Sequence, residues 1–377
     1  MRVYDPDARA ASHLARASLS PRSCHARVTQ TFCPPQNDRH RNRTRLRLEA
    51  LEDRWVPDGT PVPGPAPGLD PALLVVTTSD DSNDPTDNVV SLREAIGSAN
   101  GAGAGSDVRV ITFDMTKVGP VISLVSALPA IQSGRNIYIA GPGSSALTVQ
   151  RSVAANFSIF RIQENAVSVV AGLKLLNGRA DVGGGIESKG VLTVTGCEIR
   201  NCYATLDGGG IHAQKGTLQV YDSTVNGNTA GDRGGGLYVG RDVAHFRIED
   251  SVVGLNYAGH WGGGMYINLV PDAVVDSVNV TGNITVTAGG GIWCSGQVSL
   301  SGSTNINNNV VTDATGGQGG GVYANAGSIT LLDITIGYNQ ATTGDGMYLV
   351  TGPFGVIRNP AAGGVTYEGG DTEVSGP

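Results

Sequence analysis

The sequence predicts an all-β chain, a right-handed parallel β-helix of about eight to nine coils behind an N-terminal strand–helix cap. Three observations carry this. Glycine supplies 55 of the 377 residues, about twice the share of roughly 7% seen in ordinary chains. Most of that excess is periodic: a glycine triplet followed by an apolar residue recurs with its third glycine at 185, 210, 236, 264, 291 and 321, and an imperfect copy follows at 346. An asparagine keeps the same rhythm at Asn228, Asn256, Asn283, Asn309 and Asn339, with Cys202 in the first slot. Steps of 25 to 30 residues are too short for propeller blades of about 40, and the segments lack helical periodicity. Glycine in strict triplets would indicate collagen, and five cysteines are too few for a disulfide scaffold of this length.

The elements follow in order. Residues 1–56 are expected to be a basic, disordered leader: the first 54 hold eleven Arg, no Lys, six acids and no glycine. The arginines have no interleaved aromatics and the rest of the chain is acidic, so no nucleic-acid partner is expected. No apolar h-region of about 7–15 residues marks an ordinary signal peptide. No apolar run reaches the roughly 18 residues of a membrane-spanning helix. Residues 57–71 carry six prolines, which favour extended geometry and block sheet pairing, so they read as a spacer.

Residues 72–115 read as the cap. An apolar strand over 73–78 and a polar turn precede Ser91-Leu-Arg-Glu-Ala-Ile96, where Ser91 and Glu94 have capping-box spacing. Leu92, Ala95, Ile96 and Ala99 share one helical face, and Gly101 ends the helix. The β-helix is expected over 108–351 and a Gly-rich tail over 352–377. Within a coil, Leu218, Val220, Ser223 and Val225 are expected to face inward and Gln219 and Thr224 outward; Phe246, Ile248, Ser251 and Val253 repeat the inward set. Stacked coils place equivalent residues about 4.8 Å apart, so the asparagines are expected to form a ladder of amide hydrogen bonds.

Two columns are candidates for function. The residue after each inward apolar position reads Glu187, His212, Tyr238, Tyr266, Trp293, Tyr323 and Tyr348. Five aromatics and a histidine are therefore expected along one outer face, as a glycan-contacting or adhesive platform or as stacking that stabilises the coils. The acidic column Asp222, Asp250, Asp276 and Asp333 stands at turns, where side-chain–backbone hydrogen bonds suffice to explain it. Arg247 beside Glu249 and Asp250 is the best catalytic cluster in a region poor in bases, so Arg247, Asp222 and Asp250 are the candidates if the chain is an enzyme. Asp181, Asp207 and Asp232 precede glycine turns and are also read as turn residues. His212, His245 and His260 share no column, so no metal site and no cofactor is expected, with calcium the one ion worth testing. Cys197, Cys202 and Cys294 read as small core residues, and the disulfide state stays open. Beyond Met347 the repeat decays, leaving a last coil expected to be open to self-association.

Several stretches resemble known families. Residues 45–57, RLRLEALEDRWVP, resemble the leader of large surface proteins of one bacterial phylum, where it stands near the initiator; this implies export and a start downstream of Met1. Residues 90–96, with Val90 at the family's cysteine, followed by Val110-Ile-Thr-Phe-Asp114, resemble the CSLREA module that begins β-helical bacterial surface proteins. The glycine-and-asparagine repeat is similar to polymorphic outer-membrane-protein repeats and other pectin-lyase-like folds. Together these imply an exported cell-envelope or extracellular protein with a structural, adhesive or glycan-contacting role. The alternative they imply is a polysaccharide lyase or glycoside hydrolase working in a groove along the rod.

Overall fold

The computed structural model describes residues 74–101, 107–350, 356–358, 365–368 and 373–376, all within the unit Glu52–Pro377. The expected leader, the spacer, Cys24 and Cys33 lie outside them. The chain winds as a right-handed parallel β-solenoid of about nine turns. Strands form three sheets of 15, 10 and 6 strands. One coil illustrates the rest: Ile211–Tyr221 in the long sheet, Thr224–Asn226 in the second and Thr229–Ala230 in the third. The next coil repeats it as Leu237–Glu249, Val252–Gly254 and Tyr257–Ala258.

Side-chain alternation turns the apolar pattern into a core. Leu218 stacks on Phe246, Val220 on Ile248 and Val225 on Val253, all in parallel register and all buried. Gln219 points outward as alternation requires, yet it is covered, lying between the Thr193 and Arg247 rows and accepting a hydrogen bond from Thr193 Oγ1 at 3.1 Å. Repeat lengths vary because insertions are absorbed away from the sheets' cores. The register slips between Val239 and Phe246, and again on either side of Val270 around Pro271.

The glycine triplet does two different jobs. The first glycine takes a left-handed conformation in every coil, with φ between 59° and 69°. The second and third sit where coils touch backbone to backbone: a Cβ on Gly235 would lie 2.4 Å from the carbonyl oxygens of both Gly263 and Tyr257. The asparagine ladder turns the corner between the second and third sheets. Asn228 accepts at Oδ1 from the Cys202 N–H, and donates through its own N–H and Nδ2 to Asn256 Oδ1 at 2.9 and 3.0 Å. The pattern continues through Asn283, Asn309 and Asn339. A hydroxyl ladder accompanies it at the preceding corner: the N–H groups of Cys197 and Ser223 donate to Ser223 Oγ and Ser251 Oγ, each at 3.1 Å.

At the N-terminal end, helix Leu92–Gly101 turns Leu92, Ala95, Ile96 and Ala99 into the core. The Ser91 N–H donates to Glu94 Oε2 at 2.8 Å and the Glu94 N–H to Ser91 Oγ at 3.1 Å. Arg93 holds the cap to the first coil. Its guanidinium forms a fork on Asp81, at 2.9 and 2.8 Å, and donates to the carbonyls of Ser126 and Ala127. At the other end, stacking runs past the expected boundary at 351. Val356–Arg358, Val365–Glu368 and Glu373–Gly376 pair in parallel with Ile329–Leu331, Ile334–Gly337 and Met347–Val350. The tail pattern loses its glycine triplets but keeps alternating strand segments, and these are enough to extend all the ladders but the third.

Candidate functional site

The seven positions of the outward column are in register from Glu187 to Tyr348. The six rings from His212 to Tyr348 form one continuous stack. Centroids are separated by 4.6 Å for His212–Tyr238, 5.3 Å for Tyr238–Tyr266, 4.3 Å for Tyr266–Trp293, 6.2 Å for Trp293–Tyr323 and 5.4 Å for Tyr323–Tyr348. No pair is tilted by more than 16°. The coil spacing of about 4.8 Å leaves little freedom: rings on successive parallel strands lie offset face to face. The column was expected to line an open face, and here the structure differs. Tyr266 is only 4% exposed and Trp293 8%, because each inner ring covers the faces of its neighbours. Burial raises the phenols of Tyr238, Tyr266 and Tyr323, so they remain hydroxyl donors at neutral pH. Burial, reinforced by Lys189 and Arg233, pushes His212 down to about 4, so its imidazole is neutral and its buried Nδ1 has no hydrogen-bond partner.

A charged cluster flanks the stack at the glycine turns. Arg233 grips Asp207 through Nε and Nη2, at 2.9 and 2.8 Å, and reaches Asp232 at 3.3 Å. Its guanidinium also lies 5.2 Å from the Tyr238 centroid and 5.3 Å from that of Tyr266. Burial pushes the Asp207 carboxyl up, and Arg233 pulls against it. For Arg233, burial is outweighed by the hydrogen bonds and charge of Asp207, so its pKa is raised. His260 Nδ1 is 2.9 Å from Asp232 Oδ1. Trp261, 37% exposed, closes the side of the stack at 6.4 Å from Tyr266 and 6.5 Å from Trp293.

Sequence reasoning passed over Arg233 and Trp261, and read Asp207 and Asp232 only as turn residues. The missed signal is the position just before each glycine triplet. Arg233, Trp261, Ala288, Gln318 and Thr343 bridge one another in parallel and form a second column beside the rings.

The enzyme candidates occupy two kinds of position, mid-strand and corner. Arg247 lies mid-strand and is ion-paired to Glu249 two residues on. Asp222 and Asp250 occupy left-handed corner positions, with φ of 48° and 46°. Asp276 does not belong to their column: it is in register with Glu249, and Ser277, φ 56°, takes the corner position. The one-residue offset arises because the corner selects a residue that tolerates positive φ, whichever side chain it carries. His245 pairs with Asp272 at 3.1 Å, away from His212 and His260. Among the described residues, no group of three His, Cys, Asp or Glu side chains is placed to hold a metal ion, and no helix is long and apolar enough to cross a membrane. Cys197, Cys202 and Cys294 are buried and free. Burial pushes Cys197 up to about 11 and the other two to about 12, so none presents a thiolate nucleophile at neutral pH.

No protein-family model matches the chain, and no curated protein matches it. Among solved structures, it is similar to the A-module of the Azotobacter vinelandii mannuronan C-5 epimerase AlgE6, at 15% identity and a TM-score of 0.33, over 76% of this chain and 94% of the module.

Proposed function

We propose that this chain is an exported cell-envelope or extracellular β-helical protein whose role is structural or adhesive, with the ring stack as a stabilising spine. The observation that supports this reading is that the rings spend their faces on one another. A sugar-binding platform needs an open aromatic face, and the central rings Tyr266 and Trp293 stack on each other at 4.3 Å and are buried. Arg233 acts on the same spine, since its position between Asp207 and Asp232 bridges two coils through one guanidinium.

The test is Tyr266→Ala with Trp293→Ala, singly and together. Each stacked pair contributes about 0.5–1.5 kcal/mol beyond its burial, and each truncation also removes a large apolar side chain, so each single change is expected to cost about 3 kcal/mol. Melting temperature should fall steeply while binding across a glycan array stays unchanged. A loss of glycan binding in a variant that still melts near the parent would instead make the column a ligand platform.

The lyase or hydrolase alternative is favoured by one observation, the gathering of Asp207 and Asp232 around Arg233 beside His260. Turnover of polygalacturonate or another glycan, with or without calcium, that is abolished by Asp207→Asn would establish it. Under the structural reading no turnover is seen.

A further inference from the structure

The corner between the second and third sheets has a cavity of about 540 Å³ near the N-terminal end of the rod, lined among others by Gln150, Arg151, Asn177, Arg179, Asn201 and Tyr203. It exists because the third sheet begins late. Its first strand is Arg179–Ala180, and the coil beneath runs through the irregular stretch 152–159, where Phe157 meets Arg179 in an antiparallel bridge. On the inner side of this corner the ladder slots hold Gly178 and Cys202, where the coils from Asn228 to Asn339 hold buried asparagines.

The chemistry of the lining is unusual for this molecule. Residues 201–351 carry four basic and eleven acidic side chains, whereas 135–200 carry seven basic and four acidic. The cavity lies in the basic stretch and no carboxylate lines it. Arg151 is pinned rather than neutralised: Nε donates to the Asn177 carbonyl at 2.8 Å, and Nη1 to the carbonyls of Val153 and Ala155. Arg179 lies over the Tyr203 ring at 4.3 Å and is exposed to solvent. Neither guanidinium forms an ion pair among the described residues, although Lys174 and Arg200 close by are both paired to Glu198.

We propose that this corner binds a sugar unit carrying an oxyanion, such as a hexuronate of an acidic glycan. Two oriented guanidiniums match the planar fork of a carboxylate or the oxygens of a sulfate ester. The carboxamides of Gln150, Asn177 and Asn201 offer donors and acceptors for ring hydroxyls, and the volume suits one or two sugar units. The site does not rest on the reading of the ring stack, because neither Tyr266 nor Trp293 lines it.

The test is titration calorimetry of the full chain with trigalacturonate, its fully methyl-esterified form, a sulfated neutral trisaccharide and sodium sulfate. Trigalacturonate should bind, and binding should weaken at least about tenfold in Arg179→Gln, as expected on losing a charge-assisted contact. Melting temperature should be unchanged, since Arg179 is exposed. Arg151→Gln should weaken it likewise, and the ester should not bind. Binding of the sulfated trisaccharide, with the same arginine dependence, would support the oxyanion chemistry and point to a sulfate ester as a source. Equal binding of ester and acid, wild-type affinity in both arginine variants, or no binding of either anionic trisaccharide would overturn the proposal. Inorganic sulfate binding as tightly as the trisaccharides would overturn its sugar component. Loss of ring-stack stability in Tyr266→Ala with trigalacturonate binding intact would leave this site standing whatever the spine does.

Discussion

The first coils and the later coils use the same solenoid but hold it together differently. Up to about residue 200 the stack relies on the helical cap, the Arg93–Asp81 fork and irregular corners. The glycine triplets begin at Gly183 to Gly185, the stacked rings at His212 and the buried asparagines at Asn228, and successive coils then repeat all three. The regular part is held by columns that spread over many coils. The irregular part leaves a corner open, and that corner is lined with two guanidiniums that form no ion pair among the described residues. On the two proposals made above, the regular coils serve as scaffold and the departure from regularity carries the ligand site.

The strongest way to break the regular half is Gly235→Ala. The new methyl would lie 2.4 Å from two backbone oxygens, of Gly263 and Tyr257, and neither can move without displacing a coil. A loss of at least about 4 kcal/mol is expected, enough to unfold a marginal chain. Circular dichroism during urea unfolding would read it, and a midpoint within experimental scatter of the parent would show that coil contact is looser than these positions imply. Gly97→Ala on the cap helix, where a Cβ meets nothing within 4 Å, is the matched control and should not destabilise.

Next in size is Asn256→Ala. Asn256 Oδ1 accepts from both the N–H and Nδ2 of Asn228, and its Nδ2 donates to the Val225 carbonyl and to Asn283 Oδ1. Truncation leaves the buried Asn228 N–H with no acceptor, at a cost of about 3 kcal/mol with the lost bonds included. Hydrogen exchange should show loss of protection at Asn228 first; uniform loss over the whole rod would mean that the ladder acts globally.

Much of this was legible in the sequence because a solenoid writes its geometry as a period. The glycine triplets and the asparagine column could be read directly, since any residue other than Gly meets a neighbouring backbone at Gly235, and at Asn228 a carboxamide supplies one acceptor oxygen and two N–H donors in a single planar group. Other features were invisible to spacing. The ring column could be read as one register of the repeat, but its burial depends on how rings of adjacent coils overlap, which alternation does not encode. Asp276 looked like a member of the Asp222 column because a one-residue shift does not disturb a count of acids. The Arg151–Arg179 corner lies where the repeat has not begun, so no column announced it; the local excess of basic residues was the available sign.

The half-way point between the two regimes is His212, the first ring of the stack. Its pKa of about 4, depressed chiefly by burial, lies below the value of about 6.5 it has when unfolded. The unfolded chain therefore binds more protons between these values. The stabilisation is fully present above about pH 6.5 and is lost as pH falls through about 4, on the order of 3 kcal/mol at the limit. His212→Phe keeps a ring on Tyr238 and removes the proton, so its stability should be flatter over that window. The same slope in parent and variant, measured by chemical denaturation at several pH values, would assign the acid sensitivity to other groups.

The smallest expected effect tests whether the boundary itself can be moved. Cys202 occupies the ladder slot one coil before Asn228, and its N–H already donates to Asn228 Oδ1 at 2.9 Å. Space at the two positions is alike. A Cβ on Gly185 would stand 3.3 Å from Cys202 Sγ, and one on Gly210 would stand 3.1 Å from Asn228 Nδ2. In Cys202→Asn the new Nδ2 can donate to Asn228 Oδ1 as Asn228 Nδ2 does to Asn256, and its Oδ1 faces the coil of Gly178. One further rung should add about 1 kcal/mol and slow hydrogen exchange at Gly178. Destabilisation instead would mean that this corner is held open by its own packing, and that the irregular coils are constrained against closing rather than merely lacking the side chain that closes them.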